Sequence, residues 1–117
     1  MKILLCDDSN SVHSVLSMIL EDLGHALVGT FNAYELISQF ENSPPFDVIV
    51  LDSEMPKVSG MEALQFLQRS GCSTPIIMLT GKNSASNIKL AKEAGASSYI
   101  MKPFTKNLIE GALKQLN

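Results

Sequence analysis

Hydrophobic residues along the chain fall into short, continuous runs that have the length of β-strands. The five runs are residues 2–6 (KILLC), 26–30 (ALVGT), 47–52 (DVIVLD), 75–80 (PIIMLT) and 97–101 (SSYIM). A strand that is apolar on both faces is typical of a parallel sheet whose two sides are covered by helices. The pattern therefore predicts five strands, of which the second is the weakest.

Each run is followed by a segment in which apolar residues recur every three or four positions, as in an amphipathic helix. The first segment is followed by Gly24, a residue typical of helix C-termini, and its apolar face consists of Val12, Val15, Leu16, Ile19, Leu20 and Leu23. The other helical segments are residues 33–40, 59–71, 84–95 and 105–116. In the last one Thr105 is a candidate N-cap, and the apolar stripe is Leu108, Ile109, Ala112, Leu113 and Leu116.

This alternation of strands and helices predicts an α/β fold with a parallel sheet and helices on both faces. Because crossovers between parallel strands are right-handed, few windings remain, and we expect the doubly wound, flavodoxin-like strand order 2-1-3-4-5. The chain shows no linker, internal repeat or low-complexity segment. We therefore expect a single domain over residues 1–117.

Composition narrows the classes of function. The net charge is −3 and the pI is about 5.2, whereas a nucleic-acid binder usually has a basic face, so direct binding to DNA or RNA is not expected. No apolar run approaches ~18 residues, so we expect neither a signal peptide nor a membrane span. Cys6 and Cys72 lack the spacing of metal ligands and are interpreted as reduced thiols of a cytoplasmic protein.

Polar residues stand at the ends of four of the five predicted strands. Asp7 and Asp8 end the first strand, Asp52 the third and Thr80 the fourth, and Lys102 follows the fifth. Each has an ordinary explanation by itself, since an aspartate often forms a turn or caps a helix and a lysine is often a solvated surface charge. In such sheets, however, ligands bind outside the carboxyl ends of the strands. We therefore expect these side chains to converge on one edge.

The residue types indicate a chemistry for this edge. Clustered carboxylates repel one another unless a cation lies among them, and Mg²⁺ is often held by one or two carboxylates together with phosphate oxygens and waters. A carboxylate beside the metal can act as a nucleophile toward a phosphoryl group. Mg²⁺, an ammonium and a hydroxyl can stabilise the charge on the phosphoryl oxygens.

The motifs resemble those of the receiver domain of two-component response regulators, similar to the single-domain, chemotaxis-type (CheY-like) members. They are DD at 7–8, VLDSEMPKVSG at 50–60, LTG at 79–81 and EAGASSYIMKPF at 93–104. The resemblance covers the whole chain and implies a phosphorelay receiver, which catalyses only its own phosphorylation and dephosphorylation. It also implies Mg²⁺ (or Mn²⁺) as cofactor and a histidine kinase, phosphotransfer protein or small acyl phosphate as donor.

The resemblance assigns a role to each site residue. Asp52 would accept the phosphoryl group, and Asp8, Asp52 and the backbone carbonyl of Glu54 would bind the metal, with Asp7 acting through a metal-bound water. Lys102 would pair with the phosphoryl group, and the Lys102–Pro103 bond would be cis. Thr80 and Tyr99 would be the switch that changes an output-partner surface on the fourth helix, fifth strand and fifth helix.

The resemblance assigns no fixed role to three further side chains. Glu54, two residues after Asp52, stands where the family varies, and with Lys82 it is expected to modulate access to the site or the lifetime of the phosphoryl group. An exposed ion pair between the two would add only about 0–1 kcal/mol of stability. His13 is interpreted as a surface or boundary histidine.

Three other readings remain open at this stage. The first is a receiver fold that works only as a phosphorylation-independent docking module, against which the intact set of site residues argues. The second is a flavodoxin-like FMN carrier, which shares the strand order, but its first loop would need to cradle phosphate and here begins with two acids. The third is a phosphatase of the haloacid-dehalogenase type, which would carry an aspartate where Glu54 stands.

Overall fold

The computed structural model describes residues 1–43, 45–81 and 85–116, and for residue 85 the backbone alone. Its strands are β1 (Lys2–Cys6), β2 (Ala26–Thr30), β3 (Val48–Asp52), β4 (Ile76–Thr80) and β5 (Ser98–Met101). Its helices are α1 (Asn10–Asp22), α2 (Ala33–Asn42), α3 (Gly60–Arg69), α4 (Ala85–Glu93) and α5 (Lys106–Lys114). Strands and helices alternate throughout, as the hydrophobic pattern predicts.

The five strands form one parallel sheet in the order β2-β1-β3-β4-β5, so the predicted fold class and strand order are confirmed. The sheet separates two hydrophobic clusters. One lies under α2, α3 and α4, and its strand residues are Leu4, Cys6, Ile49, Leu51, Ile76 and Met78. The other lies under α1 and α5, and its strand residues are Ile3, Leu5, Val48, Val50, Ile77, Leu79 and Ile100. Neighbouring residues of each strand therefore point to opposite sides.

Local signals explain where several helices begin and end. Ser9, Asn32, Ser59 and Thr105 are N-caps whose side chains accept a hydrogen bond from the first turn of their helix. Ser59 and Glu62 form a reciprocal capping box, which satisfies two amide donors at the start of α3. After α1 the chain reverses at Gly24, whose φ of +82° lies in the left-handed region that glycine adopts without strain.

In the predicted apolar stripes of α1 and α5, Val15 and Leu108 are exposed. Val15 of α1 is 46% exposed and Leu108 of α5 is 51% exposed. Both lie at the margin of their helix stripe, because the strip of helix surface that contacts the sheet is narrower than the apolar face that the sequence pattern defines. In the described ranges, no helix has the length and apolar character that crossing a bilayer requires.

We expect Leu20→Ala to lower the free energy of unfolding by about 2–5 kcal/mol, because its side chain is 1% exposed and lies in the cluster under α1 and α5. Met18→Ala on the same helix is the matched control, since Met18 is 71% exposed. Its effect should stay within about 0.5 kcal/mol. Urea denaturation measures both, and equal losses would show that the burial of α1 is assigned wrongly.

Candidate functional site

The parallel hydrogen-bond ladder continues beyond the ends of three strands and thereby places the site residues. The N–H of Asp7 donates to Thr30 O at 3.1 Å, that of Ser53 to Leu79 O at 2.9 Å and that of Lys102 to Thr80 O at 2.6 Å. Residues that still take part in the ladder keep the alternation of a strand. The side of the sheet on which each site residue lies therefore follows from its position in the sequence.

This alternation separates the polar residues into two groups. Asp7, Asp52 and Lys102 are in phase with the strand residues that pack under α1 and α5. Ser53 and Thr80 are in phase with the strand residues of the opposite cluster. The charged groups therefore gather on one side of the strand ends, and the hydroxyls gather on the other.

The charged group has short distances between its members. The ammonium Nζ of Lys102 lies 2.9 Å from Asp7 Oδ2 and 3.2 Å from Asp52 Oδ1. Carboxylate oxygens of Asp7, Asp8 and Asp52 lie within 4.8 Å of one another. Asp7 and Asp52 are buried, with 0% and 2% exposure, whereas Asp8 is exposed. The site is thus a buried pair of carboxylates that opens to solvent at Asp8.

One oxygen of this group lacks a hydrogen bond. Asp7 Oδ1 accepts from the N–H of Ser9 at 2.9 Å, but buried Oδ2 has no hydrogen-bond partner among the described residues. Lys102 approaches Oδ2 closely enough for charge attraction, without the angles of a hydrogen bond. A buried carboxylate oxygen that is ion-paired with Lys102 but not hydrogen-bonded, next to two further carboxylates, fits a hard divalent cation such as Mg²⁺.

Burial and mutual repulsion shift the protonation of Asp52. Burial, and then the charge of Asp7, raise the pKa of Asp52 to about 6, while the N–H of Glu54 and the ammonium of Lys102 oppose the rise. Glu54 N donates to Asp52 Oδ1 at 3.2 Å. Burial disfavours the charged form of Lys102, but the two carboxylates outweigh it and raise the pKa of its ammonium. The lysine therefore stays charged, whereas the charged form of Asp52 is disfavoured by its surroundings.

The hydroxyls on the other side contact each other directly. Ser53 Oγ donates a hydrogen bond to Thr80 Oγ1 at 2.6 Å. Thr80 is fully buried and Tyr99 is half-buried. Ser53, Thr80 and Tyr99 line a cavity of about 270 Å³ against α4 that is partly open to solvent, so the residues expected to form the switch lie around one cavity.

The loop between β3 and α3 is held against Asp52 by a close backbone contact. A Cβ on Gly60 would lie 1.9 Å from the carbonyl oxygen of Asp52, so only glycine fits there, and Gly60 N donates to Ser53 O at 3.1 Å. Met55 anchors the middle of the loop, with its sulfur 3.4 Å from Cys6 Sγ in the core. The spacing between Asp52 and Gly60 in the sequence is therefore explained by a loop that returns to the end of β3 and packs against it.

The structure places the remaining predicted site residues as follows. Glu54 is exposed at the mouth of the site. The Lys102–Pro103 peptide bond is cis. Lys82 lies outside the described residues, so the expected Glu54–Lys82 pair stays a prediction.

Sequence reasoning missed two contacts to this site. His13 is half-buried, and its ring nitrogen Nε2 lies 2.8 Å from the carbonyl oxygen of Asp7. The preferred interpretation of His13 as a plain surface or boundary residue therefore overlooked a direct contact. Ser53 touches Thr80, and strand alternation between Asp52 and Ser53 could have placed it on the side of Thr80. No local signal marks His13, because the residues that position its ring, Gly29 and Phe31, are distant in the sequence.

Comparison with known proteins agrees with this arrangement. The family model of the response regulator receiver domain matches residues 3–114. The chain is 33% identical over 115 residues to the alkaline phosphatase synthesis transcriptional regulatory protein PhoP of Bacillus subtilis, covering 98% of this chain and 48% of that protein. It is 31% identical over 111 residues to the CAI-1 autoinducer sensor kinase/phosphatase CqsS of Vibrio cholerae, covering 92% of this chain and 16% of that protein.

Solved structures share the fold over nearly the whole chain. The chemotaxis protein CheY4 of Vibrio cholerae has a TM-score of 0.90 at 30% identity, covering 99% of this chain and 98% of that chain. A CheY-like receiver domain protein of Methanospirillum hungatei has a TM-score of 0.88 at 30% identity, covering 98% of this chain and 92% of that chain.

The chain belongs to the response regulator receiver domain family of two-component signalling. It spans about half the length of the transcriptional regulators that it matches.

The shifted Asp52 carboxyl predicts a pH-dependent stability in the absence of metal. Its pKa rises from an ordinary 3.8 to about 6 in the folded protein, so the folded state holds this proton more tightly than the unfolded state. Raising the pH from ~4 to ~7 should therefore destabilise the parent protein by about 2 kcal/mol relative to Asp52→Asn. Urea denaturation in EDTA across this range measures the difference.

The exposed Glu21 supplies the control for this experiment, because Glu21→Gln on α1 removes a carboxylate far from the cluster. Its stability should follow that of the parent at each pH. A difference between Asp52→Asn and the parent that does not change between pH 4 and 7 would contradict the electrostatic account of Asp52.

Gly60→Ala should destabilise the protein by about 1–3 kcal/mol, because the new methyl group would collide with the carbonyl of Asp52. Gly111→Ala is the control, since its Cβ would meet no atom within 4 Å and the residue lies inside α5. That change should stabilise the protein by about 0.5–1 kcal/mol. Thermal unfolding compares the two, and an unaffected Gly60→Ala would mean that the loop does not close as described.

Proposed function

We propose that this chain is a phosphorylation-activated receiver in which Asp52 accepts a phosphoryl group from a histidine kinase, a phosphotransfer protein or a small acyl phosphate. The observation that supports this most is the buried Asp52 carboxylate at a strand end, with Lys102 Nζ at 3.2 Å and two further aspartates within 4.8 Å. Membership of the receiver family supports the same reaction. The protein would catalyse only its own phosphorylation and dephosphorylation.

In this reaction an Asp52 carboxylate oxygen attacks the phosphorus atom and forms a new P–O bond. The bond between phosphorus and the donor's histidine nitrogen or acyl oxygen breaks, and the electron pair leaves with the donor. Lys102 Nζ, already beside Asp52 Oδ1, would pair with a phosphoryl oxygen. Its contact with Asp7 keeps the ammonium at the site when Asp52 loses its free charge.

Asp8, Asp52 and the backbone carbonyl of Glu54 would hold Mg²⁺ (or Mn²⁺), with Asp7 acting through a bound water. The metal would supply positive charge to the phosphoryl oxygens. The crowding of the three carboxylates, and the Asp7 Oδ2 that is ion-paired with Lys102 but not hydrogen-bonded, support this donor set. Exposed Glu54 stands at the entrance, and with Lys82 it would influence access or the lifetime of the phosphoryl group.

Phosphorylation would shift a population of conformations, by as much as the phosphoryl group favours one of them. Thr80 would turn toward the phosphoryl group and Tyr99 would follow it inward. The cavity that both residues line supports this pairing of movements. In moving, Thr80 would exchange its hydrogen bond from Ser53 for one to a phosphoryl oxygen.

The surface of α4, β5 and α5 would receive an output partner. Exposed apolar residues on this surface support the proposal, since Leu90 is 56% and Leu108 is 51% exposed. We propose no direct contact with nucleic acid or membrane, and a cytoplasmic location.

Intact mass after incubation with Mg²⁺ and acetyl phosphate tests the proposed reaction. The parent should gain one phosphoryl group, and Asp52→Asn should gain none. Asp47→Asn is the matched control, because Asp47 precedes the same strand at its opposite end and is exposed, and it should behave like the parent.

A gain in Asp52→Asn equal to that of the parent would show that another residue is the acceptor. No gain in a folded parent that binds Mg²⁺ would reject phosphorylation by this donor and would favour a phosphorylation-independent docking module.

A further inference from the structure

His13 occupies a position that connects α1 to the loop carrying the two acids. Its Nε2 lies 2.8 Å from the backbone carbonyl oxygen of Asp7. A carbonyl oxygen can only accept a hydrogen bond, so Nε2 carries the proton and donates it. The side chain of a helix residue thus holds the main chain of the acidic loop.

The imidazole ring is held on two sides by residues around the end of β2. It stacks on Phe31 with ring centroids 4.0 Å apart and an interplanar angle of 8°. A Cβ on Gly29 would lie 2.6 Å from Nδ1 and 2.9 Å from Cε1 of the ring. Because Gly29 has no side chain, the ring can occupy this space, and the stack on Phe31 fixes its plane.

The carbonyl that His13 holds belongs to the peptide group between Asp7 and Asp8. A peptide group is planar, so fixing the oxygen of Asp7 also fixes the orientation of the Asp8 N–H. The N–H of Asp7 is already held by Thr30 O, and its Oδ1 by Ser9 N. The bond from His13 therefore restrains rotation of the Asp7–Asp8 peptide plane, and with it the direction in which the Asp8 side chain leaves the main chain.

We propose that His13 is a positioning residue for the cation site, acting by holding the Asp7–Asp8 peptide plane, and that Gly29 and Phe31 are its supports. The proposal rests on the proposed function, since it assigns His13 to the metal site of that reaction. His13 itself touches neither the metal nor the phosphoryl group. Loss of a group that orients a metal ligand through a hydrogen bond typically lowers metal affinity by about 10–100-fold.

His13→Phe tests the proposal directly, because it keeps an aromatic ring for the stack and removes the donor. Calorimetric titration with Mg²⁺ should give a dissociation constant about tenfold higher than that of the parent. In metal-free protein the Asp8 amide resonance should shift, because its peptide group loses a hydrogen bond. His13→Gln, which retains an N–H donor, should recover most of the Mg²⁺ affinity.

A double-mutant cycle with Gly29 separates positioning from simple packing. Gly29→Ala should displace the ring and weaken Mg²⁺ binding to a similar degree as His13→Phe. In a His13→Ala background the same Gly29→Ala change should add little, because no ring remains to displace. Gly111→Ala, remote from the site on α5, should leave Mg²⁺ binding unchanged.

Parent-like Mg²⁺ affinity and an unmoved Asp8 amide in folded His13→Phe would overturn the proposal and leave His13 as a packing residue. Additive effects of Gly29→Ala and His13→Ala would also overturn it. If the parent itself bound no Mg²⁺, the proposed metal site would fail, and the Asp8 amide shift would decide separately whether His13 holds the peptide.

Discussion

The register of the parallel sheet is the constraint on which the site depends. The ladder continues one residue past three strands through the N–H groups of Asp7, Ser53 and Lys102, so the alternation of side chains continues with it. A slip of one residue in any strand would send its polar group to the opposite side. Pairing of the buried strands, which is driven by apolar burial, therefore also determines which charges meet.

This register brings negative charges close together where little water reaches them. Asp7 and Asp52 are almost completely buried, and the pKa of Asp52 is raised mainly by that burial and then by the charge of Asp7. Lys102 compensates for part of the charge, but the exposed Asp8 adds more. Buried charged groups are a weak source of stability, and perturbed groups of this kind cluster at functional sites. The crowded charge therefore supports the proposal that this cluster binds a cation and an anionic ligand.

The fold and the convergence of polar residues follow from the sequence because they depend on local periodicity. Residues such as Asp52 and Thr80 end apolar runs, and the ends of parallel strands necessarily meet at one edge. Strand alternation goes further, since it puts Ser53 on the side of Thr80 without any knowledge of coordinates. These inferences need only the order of residues and the geometry of a strand.

Other features depend on contacts between distant segments. The ring of His13 packs against Gly29 and stacks on Phe31. The sequence around His13 does not predict either contact. The need for glycine at position 60 arises because α3 begins against the carbonyl of Asp52. Val15 is apolar and correctly spaced, yet 46% exposed, because the area of contact between helix and sheet is a property of the packed structure.

Thr80 contacts one residue of the charged group and one of the hydroxyl group. Its carbonyl accepts from the N–H of Lys102 at 2.6 Å, and its hydroxyl accepts from Ser53 at 2.6 Å. Lys102 pairs with the Asp52 carboxylate, and Ser53 is the next residue after Asp52 in the chain. Asp52 is therefore directly linked to each of the two residues that hydrogen-bond to Thr80. A buried hydroxyl beside a cavity has room for a second arrangement, and the proposed switch requires such a two-state element.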